Sequence, residues 1–185
     1  MLIQCAADFH GRAERYSAFL RAYGDIEPDI VFFAGDLGHV KEETLAPIRV
    51  PLYAVYGNID GDLHHLEKKI IFIDGRIVSC RNLSLLGIGR FSSDENKIAP
   101  DIVLCHMPPY GIRDRAFFGM HIGSKWLYDF VCRAQPTYVI CGHVHEDHGY
   151  EQLDRTCIVN CSVGKQGTCA VIDTELNTVS MIGYK

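Results

Sequence analysis

The chain has 185 residues, which is the length of one globular domain, and we treat residues 1–185 as a single domain. Apolar residues make up 48% of the chain and charged residues 22%, a composition typical of a soluble globular protein. The formal net charge of −5 supplies no basic field, so nucleic acid and an anionic membrane are not favoured as partners.

Strands and helices alternate in the first half of the predicted structure. Four apolar residues at i, i+3, i+4 and i+7 predict a helix over residues 12–23, which Gly24 is expected to end. The other predicted elements of this half are buried strands at 1–7, 29–34 and 51–56 and a short helix around 41–46.

The second half is richer in strands and contains one long connection. Residues 107–123 carry paired prolines and three glycines, and a connection of this length is usually functional or mobile. Ser124 is placed to cap a helix that runs to about Ala134 and stops before Pro136. The predicted strands of this half are 69–73, 76–80, 83–88, 101–105, 137–141, 151–154, 156–160, 168–172 and 178–182.

The cysteines and the first residues favour a cytoplasmic location. The eight cysteines contain no C-x-x-C pair, and several lie inside apolar runs, where a reduced thiol acts as a small hydrophobe. A disulfide framework is the alternative, although it suits short secreted chains with small cores. The first ten residues lack the basic segment of an export signal, and no apolar run approaches the ~18 residues of a membrane span.

Polar residues that bind metals follow five of the predicted buried strands. Carboxylate, amide and imidazole ligands without thiolate suit a divalent ion such as Mn, Fe or Zn. Because strands of one sheet end at a shared edge, we expect these side chains to form one site. The residues are Asp8, His10, Asp36, Asn58, His106, His143 and His145.

Each of these blocks is weak when taken alone. Asp8 and His10 are two residues apart, as are His143 and His145, and an extended backbone would place both members of a pair on one side. A polar strand end is the ordinary explanation of such a pair, and Gly-Asp or Gly-Asn after a strand is often only a turn. The order of all five blocks, each at a strand end, makes coincidence improbable, at roughly one in twenty or less.

As a set, the blocks resemble the calcineurin-like metallophosphoesterase superfamily, in its small single-domain branch. They read D-x-H at Asp8, G-D at Gly35, G-N-x-D at Gly57, a strand-end histidine at His106 and G-H-x-H at Gly142. The segments H-x-P-P-Y-G at 106–111 and H-x-G-S at 121–124 extend the match. The segment Val159-Asn160-Cys161-Ser162 resembles a later family block.

The resemblance implies an α/β fold, a four-layer α/β/β/α sandwich of two mixed sheets with a dinuclear metal site at the strand ends. It implies two divalent transition ions, with Mn preferred and Fe, Zn, Ni or Co as alternatives, and Asp36 as the bridge between them. One ion would take Asp8, His10, Asp36 and His145, and the other Asp36, Asn58, His106 and His143. The implied reaction is hydrolysis of phosphodiesters or small phosphate esters by a hydroxide activated on the two metals.

One position departs from the family pattern. Many catalytic members have histidine after the Gly-Asn pair, where it assists the leaving group, but this chain has Ile59. Loss of a general acid typically slows a reaction by ~10²–10⁴-fold for poor leaving groups. Two alternatives stay open: a non-catalytic scaffold that keeps structural metals, as in the phosphoesterase-fold subunit of retromer, and a nuclease.

His106, His121 and Asp60 are the candidates for catalytic roles beside the metals. His121 lies in the long connection and could reach the phosphate, although a loop histidine satisfied by backbone groups explains it equally well. His64 or His65, close to Asp60 in sequence, are further candidates for the missing acid, and Asn160 is expected to support the metal edge by hydrogen bonding. The sequence leaves the substrate, the native metal and the oligomeric state open.

Overall fold

The fold is built from two sheets, each with six strands. The computed structural model describes residues 1–89, 99–164 and 169–183. The strands of these residues are β1 (Leu2–Ala6), β2 (Ile30–Phe33), β3 (Leu52–Ala54), β4 (Ile71–Phe72), β5 (Ile77–Cys80), β6 (Leu83–Ile88), β7 (Ile102–Cys105), β8 (Tyr138–Cys141), β9 (Gly149–Leu153), β10 (Thr156–Asn160), β11 (Cys169–Asp173) and β12 (Thr178–Ile182). The α-helices are α1 (Ala13–Ile26) and α2 (Lys125–Ala134), and residues 42–45, 64–66, 117–119 and 145–147 form short 3₁₀ turns.

Both sheets are mixed: the first is antiparallel at one edge and parallel elsewhere, and the second has a parallel centre with an antiparallel strand at each edge. The first sheet has the order β12-β11-β1-β2-β3-β4, and β1 to β4 run parallel. The second has the order β5-β6-β7-β8-β10-β9, with β6, β7, β8 and β10 parallel. In each sheet, therefore, the loops that follow the parallel strands emerge at one edge.

The two sheets pack face to face over a shared apolar layer. Alternate residues of β2 point to opposite faces, so Ile30 and Phe32 enter this layer while Val31 and Phe33 point away from it. From the second sheet, Leu104 and Ile140 fill the same layer, and all of these side chains are buried.

Each outer face is covered by a helix, which completes a four-layer α/β/β/α sandwich. Tyr16 and Phe19 of α1 pack against Phe33 on the first sheet. Leu127 and Val131 of α2 belong to the cluster that covers the second sheet. The predicted fold class is therefore confirmed.

The first helix is longer than its sequence indicates. The sequence predicts an end at Gly24, but α1 continues to Ile26 and ends at Glu27, which adopts a left-handed φ of 51°. A helical glycine costs only about 1 kcal/mol relative to alanine. Packing of Ile26 against the core offsets that cost and carries the helix past Gly24.

The other predicted elements agree with the structure apart from their ends. Ser124 caps α2 as expected, because its Oγ accepts the main-chain N–H of Leu127 at 3.1 Å. The short helix expected at 41–46 is a 3₁₀ turn at Glu42–Leu45. The strand expected at 168–172 is β11, which ends at Asp173, while residue 168 lies outside the described residues.

Candidate metal centre

The loops that follow β1 and β2 lie side by side as a continuation of the first sheet. The main-chain N–H of Asp8 donates to the carbonyl of Gly35 at 3.0 Å, and that of His10 donates to the carbonyl of Asp36 at 2.9 Å. These bonds extend the parallel pairing beyond the two strands. The polar side chains of both loops are thus fixed by main-chain hydrogen bonds.

Several predicted ligands have a backbone conformation that only glycine adopts easily. Positive φ angles occur at Asp8 (65°), His10 (52°), Asp36 (54°) and His143 (71°). Such conformations cost of order 1–3 kcal/mol each and cluster at functional sites, where the surrounding structure enforces them. Their concentration here marks this edge of the sheets as a candidate functional site.

The expectation of an extended backbone through Asp8-Phe9-His10 is wrong. The left-handed turns at Asp8 and His10 send Phe9 into the core, where its ring stacks on Tyr16 with centroids 4.2 Å apart. The same expectation fails for the second histidine pair, because His143 is left-handed and His145 begins a 3₁₀ turn. Both pairs nevertheless present their side chains to one site.

The candidate ligand atoms of the first sheet converge on those of the second. Within the described residues, Asp8, His10 and His145 form one group of ligand atoms that lie within 4.8 Å of one another, and Asp8, Asp36 and His106 form another. Oδ2 of Asp36 lies 3.4 Å from Nε2 of His10 and 3.3 Å from Nε2 of His106. One carboxylate oxygen thus lies within 3.4 Å of two imidazoles that follow strands of different sheets.

The remaining predicted ligands, Asn58 and His143, lie next to His106. Its Nε2 lies 2.9 Å from Oδ1 of Asn58 and 3.2 Å from Nδ1 of His143. Gly57 allows Asn58 to enter, since a Cβ at residue 57 would lie 2.0 Å from Oδ1 of Asp36. All seven side chains that the sequence selected are therefore neighbours at this edge.

The electrostatics of the cluster fit a bound cation. Oδ1 of Asp8 and Nε2 of His10 are buried and have no hydrogen-bond partner within the described residues. Burial by itself would raise the pKa of Asp8, but the imidazoles of His10 and His145 hold it below its usual range. Burial and the neighbouring His106 lower the pKa of His143, which favours the neutral imidazole that ligates metals. A cation would satisfy these converging acceptors, so the residues fit divalent metal ions.

Asp60 links the loops after β2 and β3. Its two carboxylate oxygens accept the main-chain N–H groups of Gly38 and Gly57, each at 2.8 Å, and the residue is buried. Ile59 contributes through its main chain, because its N–H donates to Oδ1 of Asp36 at 3.0 Å while its side chain is exposed. These contacts hold Asn58 and Asp36 in register.

The long connection forms a hairpin beside the cluster and contains a histidine–aspartate pair. Nδ1 of His121 lies 2.5 Å from Oδ1 of Asp114, whose other oxygen accepts the N–H groups of Gly111 and Gly123. Asp114 is fully buried, whereas His121 is partly exposed. The sequence indicates His121 as a candidate but not Asp114, because nothing local distinguishes this carboxylate from the other charges of the loop.

Asn160 supports the turn that carries His143 and His145, as predicted. Its Nδ2 group donates to the carbonyls of Val144 (2.8 Å) and Asp147 (3.2 Å), and its Oδ1 accepts the N–H of Ser162. The side chain is fully buried at the end of β10. These contacts hold the turn in place and thereby position His143 and His145.

A match to a family model decides the classification of the chain. The model of the calcineurin-like phosphoesterase superfamily domain matches residues 1–176. The chain belongs to this superfamily. The resemblance inferred from the motifs is therefore confirmed, and the protein belongs to the general class of phosphoesterases.

Individual proteins match this chain either over a short segment or at low sequence identity. UPF0046 protein K07C11.7 of Caenorhabditis elegans is 38% identical over 69 residues, which cover 36% of this chain and only 23% of that protein. The crystal structure of TT1561 of Thermus thermophilus has a TM-score of 0.73 at 16% identity, covering 100% of this chain and 99% of the other. A novel archaeal phosphodiesterase has a TM-score of 0.68 at 18% identity, covering 99% of both chains. At such identities the two structures establish the fold alone.

One finding concerns membranes. In the described part of the chain, none of the helices has the length and apolar character that crossing a bilayer requires.

Proposed function

We propose that the protein is a metal-dependent phosphoesterase that hydrolyses phosphodiesters or small phosphate esters. The observation that carries the proposal is the convergence of seven ligand-type side chains from both sheets on one edge, with Oδ2 of Asp36 between the imidazoles of His10 and His106. Membership in a phosphoesterase superfamily supports the same class of reaction.

The donor set suits two divalent transition ions, with Mn as our preferred metal and Fe, Zn, Ni or Co as alternatives. Asp36 would contribute to both sites. Asp8, His10 and His145 would complete one, and Asn58, His106 and His143 the other. When bound, the ions would polarise the phosphoryl group and activate water for in-line attack.

The protein residues would orient this centre. The Nδ1–H group of His106 donates to the carbonyl of Ala34 at 2.8 Å, which directs Nε2 toward the other ligands. For Asp60 we propose a positioning role in place of the catalytic role expected from the sequence. Both of its oxygens accept main-chain N–H groups from the ligand-bearing loops, so the carboxylate is committed to those contacts.

His121 is our candidate for proton donation to the leaving group. Asp114 would hold the proton on Nδ1 and leave Nε2 as the atom that exchanges a proton. The hairpin that carries His121 is tied to the loops after both β7 and β8. Ser124 N–H donates to the carbonyl of Pro108, and Arg115 N–H donates to Asp147. The hairpin is therefore held against the two loops that carry His106 and His145.

The scaffold alternative is less well supported than the enzyme. A scaffold needs only the fold, whereas here the ligand types are complete at seven positions and several of them adopt strained backbone conformations. The nuclease alternative lacks support from charge, since the chain carries a formal net charge of −5.

The test is turnover of chromogenic phosphate monoesters and diesters by protein loaded with Mn²⁺. His143→Ala and Asn58→Ala should each reduce turnover at least ~100-fold with an unchanged circular dichroism spectrum, because both remove a metal ligand at a strand end. His148→Ala is a matched control, since this exposed histidine lies outside the cluster. Retained turnover in either ligand variant would refute the assignment, and a metal-loaded protein that hydrolyses no ester would favour the scaffold.

A further inference from the structure

A cavity of about 300 Å³ opens directly beside the proposed metal centre. Asn58 and His106, two of the candidate ligands, form part of its lining. The rest of the lining includes Tyr56 from the loop after β3, Met107 from the loop after β7, and Trp126 and Leu127 from the first turn of α2. A group attached to a phosphate at the metal centre would therefore enter this cavity.

The chemistry of the lining restricts what the cavity binds. Apart from His106, none of the described residues that line it carries a charged side chain. Apart from His106, the described lining offers a second phosphate or a carboxylate no cationic side chain, and desolvating such a group there is unfavourable. Among the described lining residues, Ser124 contributes a neutral hydroxyl, which accepts the N–H of Leu127 as a helix cap. The cavity thus suits an uncharged group.

Two aromatic rings of the lining are held in place by neighbours. The indole of Trp126 stacks on Phe130 with centroids 5.6 Å apart and planes inclined by 15°. The ring of Tyr56 packs on Phe72 with centroids 4.7 Å apart. Trp126 and Met107 remain 46% and 40% exposed, so they offer apolar surface that a ligand would cover. Ordered aromatic surfaces of this kind favour a flat ring as their ligand.

We propose that this cavity is an aryl subsite, defined by Tyr56, Met107, Trp126 and Leu127, that binds an uncharged aromatic group joined to the phosphate at the metal centre. The proposal rests on the proposed function and specifies its substrate class. The volume lies at the lower end of small-molecule sites, which span about 300–1,000 Å³, and is sufficient for one ring system.

The test compares two non-hydrolysable phosphonates that differ only in this group. Protein loaded with Mn²⁺ is titrated with phenylphosphonate and with methylphosphonate, above the second pKa of both compounds. Trp126 is the only tryptophan of the chain, so its fluorescence reports directly on the cavity. We expect phenylphosphonate to bind about tenfold more tightly and to change the fluorescence, because only its ring covers the indole.

Variants assign the preference to the cavity. By calorimetry, Trp126→Ala and Met107→Ala should remove most of the difference between the two phosphonates and leave methylphosphonate affinity unchanged. Phe118→Ala is the control, because this residue is 94% exposed and does not line the cavity. Metal content and circular dichroism confirm that each variant retains the fold and the metal centre.

The possible outcomes distinguish failure of the aryl subsite from failure of the proposed function. Equal affinities for the two phosphonates, or an unchanged preference in both cavity variants, would overturn the aryl subsite and leave the proposed function standing. A protein that hydrolyses phosphodiesters but binds neither phosphonate would also overturn the subsite. Absence of both binding and turnover would overturn both proposals.

Discussion

The Nδ1–H group of His106 donates a hydrogen bond of 2.8 Å to the carbonyl of Ala34, and this bond joins the two sheets at the candidate metal centre. Ala34 follows β2 in the first sheet, and His106 follows β7 in the second. A carbonyl can only accept, so the bond fixes a proton on Nδ1. In the neutral imidazole Nε2 then carries the lone pair and faces Asp36, as expected of a metal-ligating histidine.

Metal binding should therefore stabilise the folded protein. A ligand that binds only the folded state at 100 times its Kd contributes about 2.7 kcal/mol to the free energy of unfolding. We expect Mn²⁺ to raise the thermal unfolding midpoint, EDTA to reverse the effect, and His106→Gln to reduce it. Differential scanning calorimetry measures all three, and identical midpoints in Mn²⁺ and EDTA would contradict the assignment of this cluster as a metal centre.

Asp60 should matter for stability independently of the metals. Asp60→Ala leaves the N–H groups of Gly38 and Gly57 without their acceptor, and we expect a cost of about 1–3 kcal/mol in the free energy of unfolding. Asp129→Ala is the control, since this exposed carboxylate of α2 lies outside both loops and its loss should change the free energy of unfolding by less than ~0.5 kcal/mol. Urea unfolding in EDTA compares the two variants, and equal costs would show that the hydrogen bonds of Asp60 to Gly38 and Gly57 do not stabilise the fold.

Because Ile59 replaces a proton donor, the rate of hydrolysis should depend strongly on the pKa of the leaving group. The side chain of Ile59 is exposed and cannot donate a proton, so we expect nitrophenyl diesters to react far faster than alkyl monoesters. Ile59→His should raise monoester turnover and flatten a plot of log rate against leaving-group pKa. His121→Ala should steepen the wild-type plot if His121 supplies the proton, and a plot unaffected by His121→Ala would exclude it as the acid.

Asp114 should contribute to stability in a pH-dependent way. Burial alone would raise its pKa, but the hydrogen bonds from His121 and from the main chain of Gly111 and Gly123 lower it below the ordinary value of 3.8. A depressed folded-state pKa means that the carboxylate stabilises the fold fully above pH ~4 and that this contribution is lost as the pH falls through the folded-state value.

Asp114→Asn should accordingly weaken the loss of stability between neutral and strongly acidic pH. Asp129→Asn, which changes a carboxylate of α2 outside the hairpin, is the control and should follow the wild type. Urea unfolding at a series of pH values gives the comparison. A wild-type pH dependence in Asp114→Asn would show that the His121–Asp114 pair contributes nothing to folded-state stability.

The family resemblance implied the four layers of this fold, and the sequence predicts its strands because several of the buried ones are unbroken apolar runs bounded by turn residues. The β2 segment Ile30–Phe33 illustrates this, since all four of its residues are buried. The helix end predicted at Gly24 is wrong because the local cost of a helical glycine, about 1 kcal/mol, is offset by the tertiary packing of Ile26. The 3₁₀ turn at His64–Leu66 has no apolar period and escaped prediction.

The candidate ligands were predictable for a different reason. A polar side chain shortly after a buried strand has its position set by the sheet, so Asp8 and Asp36, which follow neighbouring parallel strands, could be placed together from the sequence. That His106 of the second sheet joins them was implied by the family resemblance. The left-handed backbone at Asp8 depends on contacts with distant segments, since its N–H donates to the carbonyl of Gly35. In addition, Oδ2 of Asp8 accepts the main-chain N–H of His143, which lies 135 positions away in the sequence. The local sequence pattern does not indicate such contacts.

The metal content of the purified protein decides whether two ions share Asp36. After reconstitution with Mn²⁺ and removal of excess metal, elemental analysis should give two ions per chain, because the ligand atoms of both sheets converge around Asp36. Asp36→Ala should retain at most one ion, whereas His148→Ala should retain two. A wild-type protein that binds no metal, or an Asp36→Ala variant that still holds two ions, would contradict the two-metal centre.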